Sequence, residues 1–136
     1  MSRRQYETME RRRLELQATL DSAKSQAARN RLGQFATPMG LAAGILRLAK
    51  SLLPKGRPVR FLDPAFGTGA FYSALLQCLP DSRIKWAKGY EIDPHYAQSS
   101  RELWEHTPLS LTVGDFTAAA PPAHETDKAT LVVCNP

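Results

Sequence analysis

Four polar side chains, Asp63, Glu91, Asp115 and Asn135, each follow a short apolar run. Three are carboxylates, which accept hydrogen bonds from hydroxyl, amino and amide groups, and the fourth is an amide that accepts and donates. Between Asp63 and Ala70 stand two glycines, Gly67 and Gly69, in the run Asp63-Pro64-Ala65-Phe66-Gly67-Thr68-Gly69-Ala70-Phe71. They give backbone freedom and remove Cβ atoms where a ligand comes close. A helix starting just beyond them offers unpaired N–H groups and a positive dipole end to an anionic ligand group. Glu91 falls 22 positions after Gly69, where a carboxylate can accept from ribose hydroxyls. Together these residues suit an adenosine-containing cofactor. A nicotinamide site would prefer a third glycine where Tyr72 stands, and no Gly-Lys-Ser/Thr follows to make a phosphate loop.

The elements that present these residues follow from apolar periodicity and breakers. Residues 59–63 read as a strand, 70–79 as a helix, 84–92 as a second strand and 94–106 as a helix with Pro94 in its first turn. A third strand covers 109–113, and residues 117–123 form a surface loop or a short helix. An apolar strand at 129–134 then runs into Asn135-Pro136. The order is β-α-β-α-β-β or β-α-β-α-β-α-β, depending on that loop. Continuous apolar strands of this kind build a mostly parallel, doubly wound α/β sheet, in which ligands sit at the strand carboxyl ends.

Before the sheet, Met9, Leu16, Leu20, Ala23 and Ala27 predict one amphipathic helix over residues 6–31, with Arg11, Arg12, Arg13 and Lys24 off its thin apolar stripe. It needs a partner surface, either the domain that follows or another part of the protein. Gly33 and Pro38 break the chain, with Thr37 as N-cap and Pro38 as first residue of a helix that carries Leu41, Ile45, Leu48 and Leu52 on one face.

The 136 residues suit one domain, with 43% hydrophobic and 23% charged content. Of the net charge of +5, residues 1–32 carry +4, from eight Lys/Arg against four Asp/Glu. Such a basic segment either tracks phosphates or is a solvated helix face. Cys78 and Cys134 stand far apart without metal-ligand spacing, so neither a disulfide framework nor a metal is expected. No apolar run approaches membrane-spanning length, and the expectation is a soluble, cytoplasmic chain with no membrane partner.

Five stretches together carry a more specific signal. Gly33-Gln34-Phe35-Ala36-Thr37-Pro38, the run from Asp63 to Phe71, Gly89-Tyr90-Glu91-Ile92-Asp93, Gly114-Asp115-Phe116 and Asn135-Pro136 resemble motifs X, I, II, III and the start of IV of the gamma-class DNA adenine-N6 methyltransferases. The resemblance covers residues 33–136 and implies a Rossmann-like class I methyltransferase fold binding S-adenosylmethionine, with residues 1–32 as a separate basic helix. It implies that Phe35, Thr37 and Pro38 wall the methionine end of the cofactor and that the loop through Asp63, Pro64, Ala65, Gly67 and Gly69 holds its amino acid portion. Glu91 would take the ribose hydroxyls, Ile92 and Phe116 the adenine ring, and Asp115 the adenine amino group. Asn135 and the carbonyl of Pro136 would accept from the amino group of a flipped-out target adenine. Taken singly, Phe35, Ile92 and Phe116 are also what a core uses, Thr37-Pro38 what starts a helix, and Asp115 what makes a turn.

The family's fourth motif continues with a second proline and an aromatic, and these 136 residues contain neither after Pro136. The expectation is a cofactor-binding fragment that binds weakly and does not methylate DNA alone, within a protein that acts on double-stranded DNA beside a restriction or specificity subunit. Two rival readings are a methyltransferase for RNA or protein glutamine, and a non-catalytic module for assembly or DNA binding.

Overall fold

The computed structural model describes residues 1–31 and 34–136. Leu32 and Gly33, where the break before Thr37 is expected, lie outside the described residues. The chain runs α1 (Arg3–Ser22), α2 (Gln26–Arg31), α3 (Met39–Leu52), β1 (Val59–Asp63), α4 (Ala70–Cys78), β2 (Ile84–Glu91), α5 (Pro94–Trp104), β3 (Leu109–Val113) and β4 (Leu131–Val132). Short 3-10 turns at Asp81–Arg83, Phe116–Ala118 and Glu125–Asp127 fill connections. No α-helix forms between β3 and β4 among the described residues, which selects the first of the two expected element orders.

All four strands are parallel, in the order β3-β2-β1-β4. The chain steps outward from β1 to β2 to β3 and then returns to the other side of β1. This reversal opens a crevice at the carboxyl ends of β1 and β4. β4 is two residues long, against the six expected from its apolar run. Only Leu131 and Val132 align with Phe61 and Leu62 of β1.

Val59, Phe61 and Asp63 are buried, while Arg60 and Leu62 between them are half-buried. The core centres on Phe61, Tyr72, Leu75, Leu46 and Trp104, with Tyr72 edge-on to Trp104 at 5.1 Å between ring centroids. Each of these large side chains contributes about 1.5–3 kcal/mol by leaving water.

Three expectations for the first fifty residues need correction. The single helix over 6–31 is two helices. Ala23 closes α1, donating its N–H to Asp21 and Thr19, and the Ser25 hydroxyl accepts from Ala28 N at 3.2 Å to start α2. Ala23 and Ala27 consequently lie exposed, so the apolar stripe stops at Leu20. Arg13 and Lys24 are not on a solvated face either. Arg13 is 1% exposed and Lys24 pairs with Asp93.

The helix after the break also differs. It starts at Met39 with Pro38 as N-cap and no side-chain cap, because the Thr37 hydroxyl is engaged by Asn135 instead. Its buried residues are Ala42, Ala43 and Leu46, whereas Leu41, Leu48 and Leu52 of the expected face are exposed. Small side chains let α3 lie close along α4, and that closeness outweighs the larger apolar payload of the leucines.

No helix among the described residues is long and apolar enough to cross a membrane. α1 lies across α4 and α5.

Candidate functional site

Most N–H groups of the glycine loop after β1, and several of its carbonyls, have a partner. Phe66 N donates to Tyr90 O (2.8 Å) and Gly69 N to Phe66 O (2.8 Å). Gly67 N donates to Glu91 Oε2 (2.7 Å), and Gly67 O accepts from Ser100 Oγ (2.8 Å). Thr68 O accepts from the Trp104 indole N–H at 3.0 Å. α5 thus holds the loop from behind while β2 holds it from the side.

The two glycines serve different ends. Gly67 has φ +56° and open space where a Cβ would be, so its bare backbone faces the crevice. Gly69 has φ +87°, and a Cβ there would meet Phe66 at 2.6 Å and Trp104 at 2.9 Å. It clears room for the two rings that support the loop rather than for a ligand.

Beneath the loop, Asp63 is 1% exposed. Its Oδ1 accepts from Ala65 N at 3.1 Å, while Oδ2 is buried with no hydrogen-bond partner. Burial pushes its carboxyl up to about 7; the Ala65 N–H works against this and the neighbouring charge of Glu91 adds to it. Glu91, at the end of β2, is also raised by burial, opposed by the N–H groups of Asp93 and Gly67 that it accepts. Two carboxylates that resist ionisation so close together form a site ready for a cationic or hydroxyl-rich ligand.

A cavity of about 380 Å³ opens at the carboxyl ends of the strands, within the range of small-ligand pockets. Eleven of the fourteen residues expected in a site line it: Phe35, Thr37, Pro64, Ala65, Gly67, Glu91, Ile92, Asp115, Phe116, Asn135 and Pro136. Pro38, Asp63 and Gly69 do not, being respectively on the outer side of the α3 start, under the loop and behind it. Phe35 is 60% and Ile92 55% exposed, and Phe116, at 38%, stands edge-on to Tyr90. These apolar surfaces are available to a flat ring. Asp115 caps the 3-10 turn after β3 through Thr117, whose hydroxyl and N–H hold its carboxyl below the usual range. Both bonds use Oδ1.

Asn135 joins the far end of the chain to the segment before α3. Its Nδ2 donates to Thr37 Oγ1 at 3.3 Å. The amide oxygen accepts no bond from the described residues and can accept from an incoming amino group.

Four lining residues lie outside the five stretches: Gln17, Tyr96, Thr117 and Cys134. Gln34 and Lys24 both bond Asp93, which pins the Phe35 segment to the end of β2. These bonds outweigh burial and hold the Asp93 carboxyl low. Gln17 has a readable signal, since Arg13, Gln17 and Asp21 stand four apart and make one polar line along α1.

No protein-family model matches the chain. Among solved structures, the fold is similar to that of a Pyrococcus horikoshii protein proposed to be an RNA methyltransferase, with a TM-score of 0.63 and 23% identity. The match covers 90% of this chain and 58% of that one. A methyltransferase from Geobacter sulfurreducens gives a TM-score of 0.43 at 17% identity over 71% of this chain and 48% of that one, too slight a likeness to count. The all-parallel sheet, its reversal at β1 and the first of these neighbours make the fold Rossmann-like, of the class I methyltransferase type. The chain spans a little over half the length of that neighbour.

Proposed function

We propose that this chain supplies the methyl-donor half of a DNA adenine-N6 methyltransferase of a restriction-modification system, working on double-stranded DNA in the cytoplasm. The observation that carries the reading is the convergence of five separated stretches on one cavity, with Asn135 bonded to Thr37 across 98 positions of sequence. The residues fit S-adenosylmethionine on their own evidence. A buried carboxylate oxygen without a partner lies under the loop, a second carboxylate ends β2, and exposed apolar side chains flank the opening.

When bound, S-adenosylmethionine supplies an activated methyl group on a sulfonium. On this reading Asp63 and the glycine loop hold the amino acid portion, with Phe35, Thr37 and Pro38 as the wall beside it. Glu91 accepts from the ribose hydroxyls, Asp115 accepts from the adenine amino group through its free Oδ2, and Ile92 and Phe116 cover the adenine ring. Asn135 Oδ1 and the Pro136 carbonyl accept from the target amino group. Two acceptors on that nitrogen favour a more pyramidal geometry, which frees the lone pair otherwise delocalised into the ring. The target base leaves the duplex first, at a cost of about a few kcal/mol, and an aromatic wall and a base-reading surface, not among these 136 residues, would offset it.

Calorimetric titration with S-adenosylmethionine tests the donor site, and labelled methyl transfer to DNA, RNA and glutamine peptides tests the acceptor. Binding by the chain alone, with N6-methyladenine made in DNA by the protein that contains it, is the expected outcome. Labelled RNA or peptide with unlabelled DNA would overturn the substrate assignment and leave the donor site standing.

A further inference from the structure

α1 carries no residue of the resembling motifs, yet it is bonded into the glycine loop. The Arg13 guanidinium, 1% exposed, makes two bonds to Glu10 at 2.6 and 2.8 Å and a third, 3.2 Å, to the Thr68 hydroxyl. Thr68 Oγ1 in turn donates to Gln17 Oε1 at 2.6 Å. Gln17 Nε2 donates to Asp21 Oδ1 at 2.8 Å, and the same oxygen accepts from the Tyr96 hydroxyl at 2.7 Å. A continuous polar chain therefore runs from Glu10 to Tyr96, and three of its members, Thr68, Gln17 and Tyr96, line the cavity.

Gln17 is only half committed within this chain. Its amide oxygen has a second lone pair and its nitrogen a second hydrogen, so it has one acceptor and one donor left. Both sit beside Thr68, in the loop that would hold the amino acid portion. A zwitterionic amino acid end needs acceptors for its ammonium and donors for its carboxylate, and a primary amide offers both, on separate atoms and without a charge. Its orientation is set in advance by Thr68 and Asp21, so little freedom is lost on binding.

We infer that Gln17 of α1 is a binding residue of the cofactor site, taking the ammonium and carboxylate of the ligand's amino acid end, with Arg13 positioning it through Thr68. This inference rests on the donor-site reading above. It makes the first helix part of the pocket rather than a detachable basic arm.

The test is calorimetry on the 136-residue chain and its Gln17→Ala variant with three ligands: S-adenosylmethionine, S-adenosylhomocysteine and methylthioadenosine, which lacks the amino acid end. Gln17→Ala weakens the first two by about tenfold or more, the loss of its hydrogen bonds to the charged amino acid end, and leaves methylthioadenosine within about twofold. Equal weakening of all three ligands would mean that Gln17 only supports the fold, and would overturn the inference, as would unchanged affinity for all three. Failure of the unaltered chain to bind any of them sinks the donor-site reading and this inference with it.

Discussion

The glycine loop and the segment around Asn135 both line one cavity, and they are held very differently. The loop is bonded from several directions, by β2, by α5 and through Thr68 by α1. Asn135 is exposed and has one bond of 3.3 Å, at the end of a strand of two residues. A donor must present its reactive carbon in a fixed direction, which preorganised surroundings achieve. On the proposed function, an acceptor side held by one bond leaves its final geometry to the base it binds.

Gly69→Ala should break the well-held side most severely. The left-handed backbone costs an ordinary residue about 1–2 kcal/mol, and the clash with Phe66 and Trp104 adds about 1–3 kcal/mol. Urea unfolding should therefore show about 2–5 kcal/mol lost, together with loss of cofactor binding. Gly67→Ala, with open space around its Cβ, should cost only the backbone part. Equal losses for the two would contradict the different roles assigned to the two glycines.

Asp63 sharpens the comparison through pH. Its folded pKa of about 7 lies above the ordinary 3.8. The stability linked to the protonated carboxyl is thus fully present below about pH 4 and is lost as pH rises through about 7. The whole change is about 4 kcal/mol, of which about 3 kcal/mol falls between pH 5 and pH 8. Urea unfolding at pH 5 and pH 8 should show the drop in the unaltered chain and a much smaller one in Asp63→Asn. An identical pH dependence in both would remove Asp63 as its source.

The smallest effect belongs to the loosely held side. Asn135→Ala should change stability by less than about 0.5 kcal/mol, as for other exposed substitutions, and leave cofactor affinity within about twofold. On the proposed function, the same substitution should abolish methyl transfer, read as labelled methyl incorporated into DNA. A large loss of cofactor affinity in Asn135→Ala would show that the two sides are not separable.

Much of the sheet was legible before any coordinates. β1, α4 and β3 end within a residue of where apolar runs and breakers set them, because Pro64, Pro80 and Gly114 punctuate the chain strongly. The convergence of Glu91, Asp115 and Asn135 follows from a parallel sheet, which delivers every strand's carboxyl end to one edge. What stayed hidden depends on partners distant in sequence. Arg13 reads as a solvated arginine until Glu10 and Thr68 enclose it. In α3 the leucines form the more hydrophobic stripe, yet Ala42 and Ala43 are buried because α4 comes close. β4 is shorter than its apolar run since only two of its residues pair with β1.

The bonds of α1 have a consequence for the order in which the molecule can be made. Arg13 meets Thr68 55 positions later, and Asp21 meets Tyr96 75 positions later. During synthesis α1 leaves the ribosome before α4 and α5, with its half-buried Met9 and Leu16 and its arginine uncovered. It has nothing to dock on until α4 and α5 have emerged and packed against the sheet. Contacts so far apart form slowly. The polar chain that completes the pocket is therefore among the last parts to assemble, and a nascent chain stalled before Tyr96 would present an unpartnered helix to chaperones.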